Sequence, residues 1–371
     1  MSYELSLTPP EDWNQLVASL PGAHILQTQE WGAVKSRYGW RPLYYLWRGE
    51  RGQSVAAALV LRRAVPFPGL SARLRVLYIP KGPLLDWRNR SLRRQVLLDL
   101  ASIARQQRTI FVKVDPDVLL GTGVPGEPDA RADPDGEALL AEFEEQGWRF
   151  SDEQIQFQNT VLIDLSPELE TLMANMKQKT RYNIRLAGRR GLTIRVGGEA
   201  DLNALYRMYA ETSLRDGFII REEGYYRSVW STFMRCEKAE PLIAEFQGQM
   251  VAGVIVFYFA DRAWYLYGMS SREHHEKMPN YLLQWEAIRR AKARGCRIYD
   301  LWGAPDRFEE SNPLWGVYRF KRGLGGAVVR HIGAWDLPVR PWIYRLYTQA
   351  LPRILDIMRR RGTRSTQQSI T

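Results

Sequence analysis

The side chains that could do chemistry in this 371-residue chain are cations set among aromatic rings. The four histidines, His24, His274, His275 and His331, lack metal-ligand spacing, and so do the two cysteines, Cys236 and Cys296. No Ser-His-Asp or Cys-His arrangement stands out, and no P-loop or GxGxxG motif occurs. The recurrent feature is basic. Lys177, Lys179, Arg181, Arg185, Arg189 and Arg190 crowd MKQKTRYNIRLAGRR with almost no acidic partner, the pattern of a phosphate-facing patch rather than a balanced solvated face. Asp300 and Trp302 stand at the end of a β-prone run. Lys321 follows in YRFKRGLGG, a basic and aromatic segment whose glycines permit close backbone approach.

The stretch Met278–Pro305 must position these groups. Leu282, Leu283, Trp285, Ala287, Ile288 and Ala291 recur at helical spacing after Pro279, and Gly295 sits at the helix stop. Arg297–Trp302 reads as a strand, broken by Gly303, Ala304 and Pro305. A helix feeding a strand is half of a βαβ unit, and open α/β sheets bind ligands at the carboxyl ends of their strands. One loop, Asp306–Val317, returns Lys321 to that end.

Composition narrows the classes. Two domains suit this length. Hydrophobic residues make up 45%, and thirteen Trp and eighteen Tyr suffice for large cores and stacking surfaces. The net charge of +11 favours a polyanionic partner. The cysteine usage fits a reducing compartment with no disulfide or metal. MSYELSLTPPEDWNQ has no basic-then-apolar leader pattern, and no apolar run reaches the roughly 18 residues of a membrane span. The expectation is a cytoplasmic protein.

Along the chain, periodicity predicts helices over Pro9–Leu20, Gln29–Arg37, Leu92–Gln107, Glu137–Gln146, Leu169–Arg190, Leu202–Asp216 and Tyr225–Arg235. Strands are predicted at Val76–Ile79, Thr109–Val114, Val161–Asp164, Trp264–Tyr267 and Ala327–Ile332. Hairpins join Leu43–Trp47 to Ser54–Leu61 and Pro241–Phe246 to Val251–Phe259. Pro66–Ala72 and Gly121–Gly136 read as loops. Pro341–Arg361 is amphipathic, with Trp342, Ile343, Leu346, Leu351, Ile354, Leu355 and Met358 on one side. It is expected to pack on the first half, or to lie on an anionic membrane surface.

The order helix, helix, hairpin, strand, helix, strand occurs twice. The hairpin cores align: Gly52-Gln53 and Val55-Ala56-Ala57 against Gly248-Gln249 and Val251-Ala252-Gly253. This resembles a duplicated acyltransferase of the GCN5-related (GNAT) type. The implied fold is α/β: two tandem GNAT-like domains, mixed sheets flanked by helices. Domain 1 would be 1–165 completed by 330–371, and domain 2 would be 166–329. GNAT enzymes carry a Gly-rich pyrophosphate loop before the helix of the second half. Here that place reads SSREHHEKMPN, which argues against acetyl-coenzyme A as donor.

QTQEWGAVKSRYGW, MKQKTRYNIRLAGRRG, LRDGFIIREEGYY, YLYGMSS, YLLQWEAIRRAKARGCRIYDLWGAP and YRFKRGLGG together resemble the FemABX family, from about Gln27 to Gly325. The resemblance implies an aminoacyltransferase of peptidoglycan and cell-wall biosynthesis. It would transfer an amino acid from aminoacyl-tRNA to the stem peptide of lipid II or UDP-MurNAc-pentapeptide, with no cofactor and no metal, in the compact form that lacks a coiled-coil arm. Acceptor-binding positions carry over to Lys35, Arg221, Tyr225 and Tyr267. Lys321 takes the place near the developing oxyanion, Asp115 an acidic position at a strand end, and Phe320 a place for stacking on a terminal tRNA base. With Lys177, Lys179, Arg181 and Arg185, Phe320 and Lys321 would face the tRNA. The implied location is cytoplasmic, with peripheral contact at the inner membrane face. Two other classes fit the composition: a double-GNAT acyltransferase using acyl-coenzyme A on a polysaccharide, sugar or lipid precursor, and a catalytically idle RNA- or membrane-binding module.

Overall fold

Two apolar hairpins, each followed by strand, helix and strand, build two separate sheets. The computed structural model describes residues 2–6, 8–65 and 74–349. The expected loop at Pro66–Ala72 and the tail beyond residue 349 lie outside them. The chain divides into two units. The first takes residues up to Thr160, Asp306–Phe308 and the described residues from Val328, and the second takes Val161–Pro305 and Glu309–Ala327.

The main sheet of the first unit runs, edge to edge, Ser2–Ser6, Arg41–Arg48, Ser54–Ala64, Arg75–Pro80, Thr109–Asp115, Trp335–Pro338 and Arg149–Phe150. Helices Trp13–Ser19 and Gln29–Ser36 precede the hairpin, in which Tyr45 opposes Ala58. Arg75–Pro80 and Thr109–Asp115 pair in parallel, and helix Arg90–Gln106 makes the crossover. That helix buries Val96, Leu97 and Leu100 against Tyr45, Trp47, Val112 and Val114 of the sheet. Most of the strand interiors are buried and nearly continuous in apolar residues, as expected of a sheet covered on both faces. A second ribbon joins Ala327–His331, Leu119–Thr122 and Arg131–Ala132.

In the second unit the order is Thr193–Val196, Ala239–Phe246, Gln249–Phe259, Arg262–Ser270, Ile298–Ala304 and Asn159–Asp164, the last strand straddling the boundary. The hairpin again follows two helices, Leu202–Asp216 and Glu223–Arg235. Ile243 opposes Gly253, where a Cβ would lie 2.5 Å from Leu205. Arg262–Ser270 and Ile298–Ala304 are parallel, with helix Pro279–Ala293 between them. The mixed α/β architecture is therefore present twice.

Four expectations are corrected. Leu169–Arg190 is two helices, Leu169–Asn175 and Gln178–Arg189. Met176 and Lys177 are extended between them because the Lys177 N–H donates to Gly323 O at 2.9 Å, and the Arg181 guanidinium donates to the Ala174 and Met176 carbonyls, capping the first helix. Gly121–Gly136 is not a plain loop. It holds two strands and the start of helix Pro134–Glu145, where Asp133 accepts from Gly136 N–H and Pro134 takes the first turn. The loop expected over Asp306–Val317 ends earlier, because helix Trp315–Gly323 begins inside it and carries Lys321. Finally, Trp342, Ile343 and Leu346 do not share one side in the described part of the tail, a helix at 341–349: Ile343 and Tyr344 turn inward onto Val65, Val76, Ile110 and Phe111 of the first unit, while Trp342 and Leu346 face outward.

Candidate active site

Parallel strands expose backbone groups at their carboxyl ends, and in the second unit that end is shaped by a turn. Trp302 has φ of +60°, unusual for a bulky residue. Asp300 Oδ1 accepts the Trp302 N–H at 2.8 Å and fixes it there. Lys321, on the following helix, donates from Nζ to Trp302 O at 2.8 Å and to Gly303 O at 2.6 Å. An ammonium has three donors, so these two carbonyls leave one N–H for another acceptor. Lys321 is only 5% exposed. Burial pushes its pKa down to about 7, with Asp300 acting against that shift. Tyr265 covers the nitrogen, which lies 5.9 Å from the ring centroid. Gly268 makes room for this ring, since a Cβ there would meet the Tyr265 hydroxyl at 2.0 Å.

Arg221, Tyr225 and Tyr267 meet in one aromatic cluster of the same unit. The Arg221 guanidinium sits 4.8 Å above the Tyr225 ring. Tyr226 lies edge-on to Tyr225 at 5.4 Å and to Tyr267 at 5.6 Å, and Tyr209 approaches Tyr226 and Tyr267 from the preceding helix. The loop carrying Arg221 is held by tyrosine hydroxyls. The Arg221 N–H donates to Tyr226 Oη at 3.2 Å, and Tyr206 Oη donates to the Arg221 carbonyl at 3.4 Å. The exposed Arg221 head therefore stands on a rigid base. Sequence reasoning missed Tyr206, Tyr209, Tyr226 and Tyr265. The clue was the i, i+3 pair in LYRMYA, which puts two rings on one helix face.

Gln178, Arg181, Tyr182, Arg185 and Arg189 line one open groove, with Tyr182 54% exposed. Arg181 spends its guanidinium on the cap described above, so it serves the helix break as well as the groove. Lys177 and Lys179 flank the start of this helix. Phe320 packs edge-on against Tyr281 at 5.0 Å and is half-buried.

Lys35 and Asp115 belong to the first unit. Lys35 lies 4.4 Å over the Trp31 ring at the end of its helix. Asp115 is fully buried and accepts from Tyr78 Oη at 3.2 Å. Burial pushes its pKa up to about 6, against the pull of Lys81. Lys81 Nζ lies 2.9 Å from Asp117 Oδ1 and 3.7 Å from Asp115 Oδ1, and donates to Phe157 O at 3.1 Å. His24 and His331 approach Asp117 at 4.0 and 3.9 Å. Lys81 and Asp117 also line a cavity of about 330 Å³ walled by Leu84, Trp87 and Leu139. Of this cluster the sequence reading singled out Asp115 alone. Among the described residues no group of His, Cys, Asp and Glu could hold a metal ion, and no helix is long and apolar enough to cross a membrane.

The FemAB family model matches residues 8–247 and 234–351. The chain is 21% identical over 415 aligned residues to the lipid II:glycine glycyltransferase of Staphylococcus aureus (strain COL), covering 93% of this chain and 95% of that protein. The crystal structure of FemX superposes with a TM-score of 0.79 at 20% identity, over 94% of this chain and 100% of that one. A tandem GNAT protein from the clavulanic acid biosynthesis pathway superposes with a TM-score of 0.51 at 15% identity, over 91% and 98%. Both structural likenesses bear on the fold, which is a tandem GNAT-like one.

Proposed function

The chain belongs to the FemAB family, and from that membership we propose that it is an aminoacyltransferase of cross-bridge formation. An aminoacyl group leaves the ester of an aminoacyl-tRNA and joins a stem-peptide amine of a peptidoglycan precursor, lipid II or UDP-MurNAc-pentapeptide. The full-length match to a lipid II:glycine glycyltransferase supports the precursor as acceptor.

The observation that carries the chemistry is Lys321, a buried ammonium with one donor left over. The acceptor nitrogen attacks the ester carbonyl, a C–N bond forms, and negative charge collects on the carbonyl oxygen. The C–O bond to the ribose then breaks, and the amine proton passes to solvent or the leaving oxygen. The remaining N–H of Lys321 meets the oxyanion in a site that excludes water, where such a contact is strong. Holding a free amine in line with an activated ester supplies much of the remaining rate.

In this reading Arg221, with Tyr225 and Tyr267 beneath it, is the acceptor-binding cation of the second unit, and Lys35 is that of the first. The groove of Arg185, Arg189 and Tyr182, with Lys177, Lys179 and Arg181, takes the tRNA backbone, and Phe320 a terminal base. Trp342 and Leu346, 66% and 48% exposed on the helix at 341–349 beside Arg345, offer a peripheral contact with an anionic membrane surface. The test is incubation with a mixed aminoacyl-tRNA pool and UDP-MurNAc-pentapeptide. The acceptor should gain the mass of one amino-acid residue. It should gain nothing from acyl-coenzyme A, and the opposite outcome would establish the acyl-coenzyme A class instead.

A further inference from the structure

The turn beneath Lys321 depends on one carboxylate. Asp300 is 2% exposed. Its Oδ1 accepts the N–H of Trp302, whose left-handed backbone needs a local partner to persist. The turn aims the Trp302 and Gly303 carbonyls at Nζ. Carbonyl dipoles alone bind an ammonium less firmly than a charge does, and the Asp300 charge favours the protonated form of Lys321. We propose that Asp300 is a positioning residue for Lys321: it holds the turn that presents two carbonyl oxygens to Nζ and supplies negative charge at that site. This rests on the role given to Lys321 above.

On the strand of Asp300, Tyr299 is pushed well above its ordinary value by burial, with Tyr265, Tyr258 and Asp300 adding to the shift. Strand Arg262–Ser270 contributes Arg262, whose Nη1 lies 3.8 Å from Asp300 Oδ2, and Tyr265, whose hydroxyl is pushed up to about 12 by burial and then by Asp216. The helix of Lys321 contributes Arg322 and Tyr318, which bond to each other at 3.1 Å. Burial has already brought Lys321 down to about 7. Loss of the Asp300 charge therefore lowers its titration further, while loss of the turn removes its carbonyl partners.

The experiment compares Asp300→Asn, which keeps an oxygen for the Trp302 N–H and removes the charge, with Asp300→Ala, which removes both. Lys321 is titrated by NMR of the lysine ε-amine in the full chain without substrates, its resonance assigned from its absence in Lys321→Arg. In Asp300→Asn the midpoint should fall by about one pH unit. In the transfer assay kcat near neutral pH should fall about ten-fold with KM for both substrates unchanged, and Asp300→Ala should lose more. An unchanged midpoint in Asp300→Asn, or a loss that appears in KM instead of kcat, would overturn the proposal. Asp300→Asn is isosteric, so it answers the question even if Asp300→Ala does not fold. The titration needs no turnover. A shifted midpoint in a chain that transfers nothing would sink the functional reading and leave the Asp300 role standing.

Discussion

Each unit carries a buried lysine near the carboxyl end of its parallel strand pair, and the two are held in opposite ways. Lys81 directly follows the first strand of its pair and meets two carboxylates, Asp117 and Asp115, besides the Phe157 carbonyl. Lys321 returns on a helix and meets two carbonyl dipoles, with the Asp300 charge favouring its protonated form. Full counter-charge makes a strut, because neither partner can leave without stranding the other. Partial compensation leaves a charge that can still respond to a new anion. The two frames are similar, and the local partners decide which lysine is matched by carboxylates and which keeps an unused donor.

Substitution separates the two roles most sharply. Lys81→Met strands the buried Asp115 and the partly buried Asp117 and should cost about 3–5 kcal/mol, read as a fall in the urea midpoint. Lys321→Met removes the donor of two carbonyls but strands no charge, so near neutral pH it should cost less than Lys81→Met. The folded pKa of Lys321, about 7, lies below the ordinary 10.5, so the unfolded chain binds that proton more tightly. Wild type therefore gains stability as pH rises from about 7 towards the ordinary value, and the Met variant lacks that gain. Equal midpoint losses in the two variants would erase the distinction.

The next effects concern binding. Lys35→Ala and Arg221→Ala should each raise the acceptor dissociation constant about ten-fold, since a charge-assisted contact is worth about 1.5–3 kcal/mol. Wild-type affinity in both, measured by calorimetry with UDP-MurNAc-pentapeptide, would remove the cation pair. Arg185→Ala and Arg189→Ala should weaken tRNA binding with little dependence on RNA sequence, each lowering the salt slope by about 0.7–0.9. An unchanged slope would return this helix face to plain solvation. Smallest is the tail: Trp342→Ser should reduce binding to anionic vesicles by a few-fold, about the worth of one interfacial aromatic.

Much of the frame was legible because period and turn chemistry agree with the final packing. Leu202–Asp216 runs with the bounds that periodicity predicts, and both hairpins turn at the glycines the repeat points to, Gly52 and Gly248, each with positive φ. What escaped was decided by contacts distant in sequence. The break at Lys177 depends on Gly323, far along the chain. Helix Trp315–Gly323 is short, and its glycines read as loop. The sequence brings Lys321 to the sheet's carboxyl end, and only the tertiary structure shows it sunk against two carbonyls. The Asp133-Pro134 helix start was readable from its capping residue and was masked by the surrounding glycines and prolines.

In the proposed reaction the Lys321 charge acts on the reacting state and not on the bound acceptor. Single-turnover transfer from aminoacyl-tRNA by wild type and Lys321→Met, with acceptor affinity measured in parallel, tests it most directly. The account predicts a rate loss of about a hundred- to a thousand-fold, in line with removal of one oxyanion donor, and an unchanged acceptor dissociation constant. A Met variant that transfers at the wild-type rate, or that loses acceptor binding in proportion to rate, would contradict it.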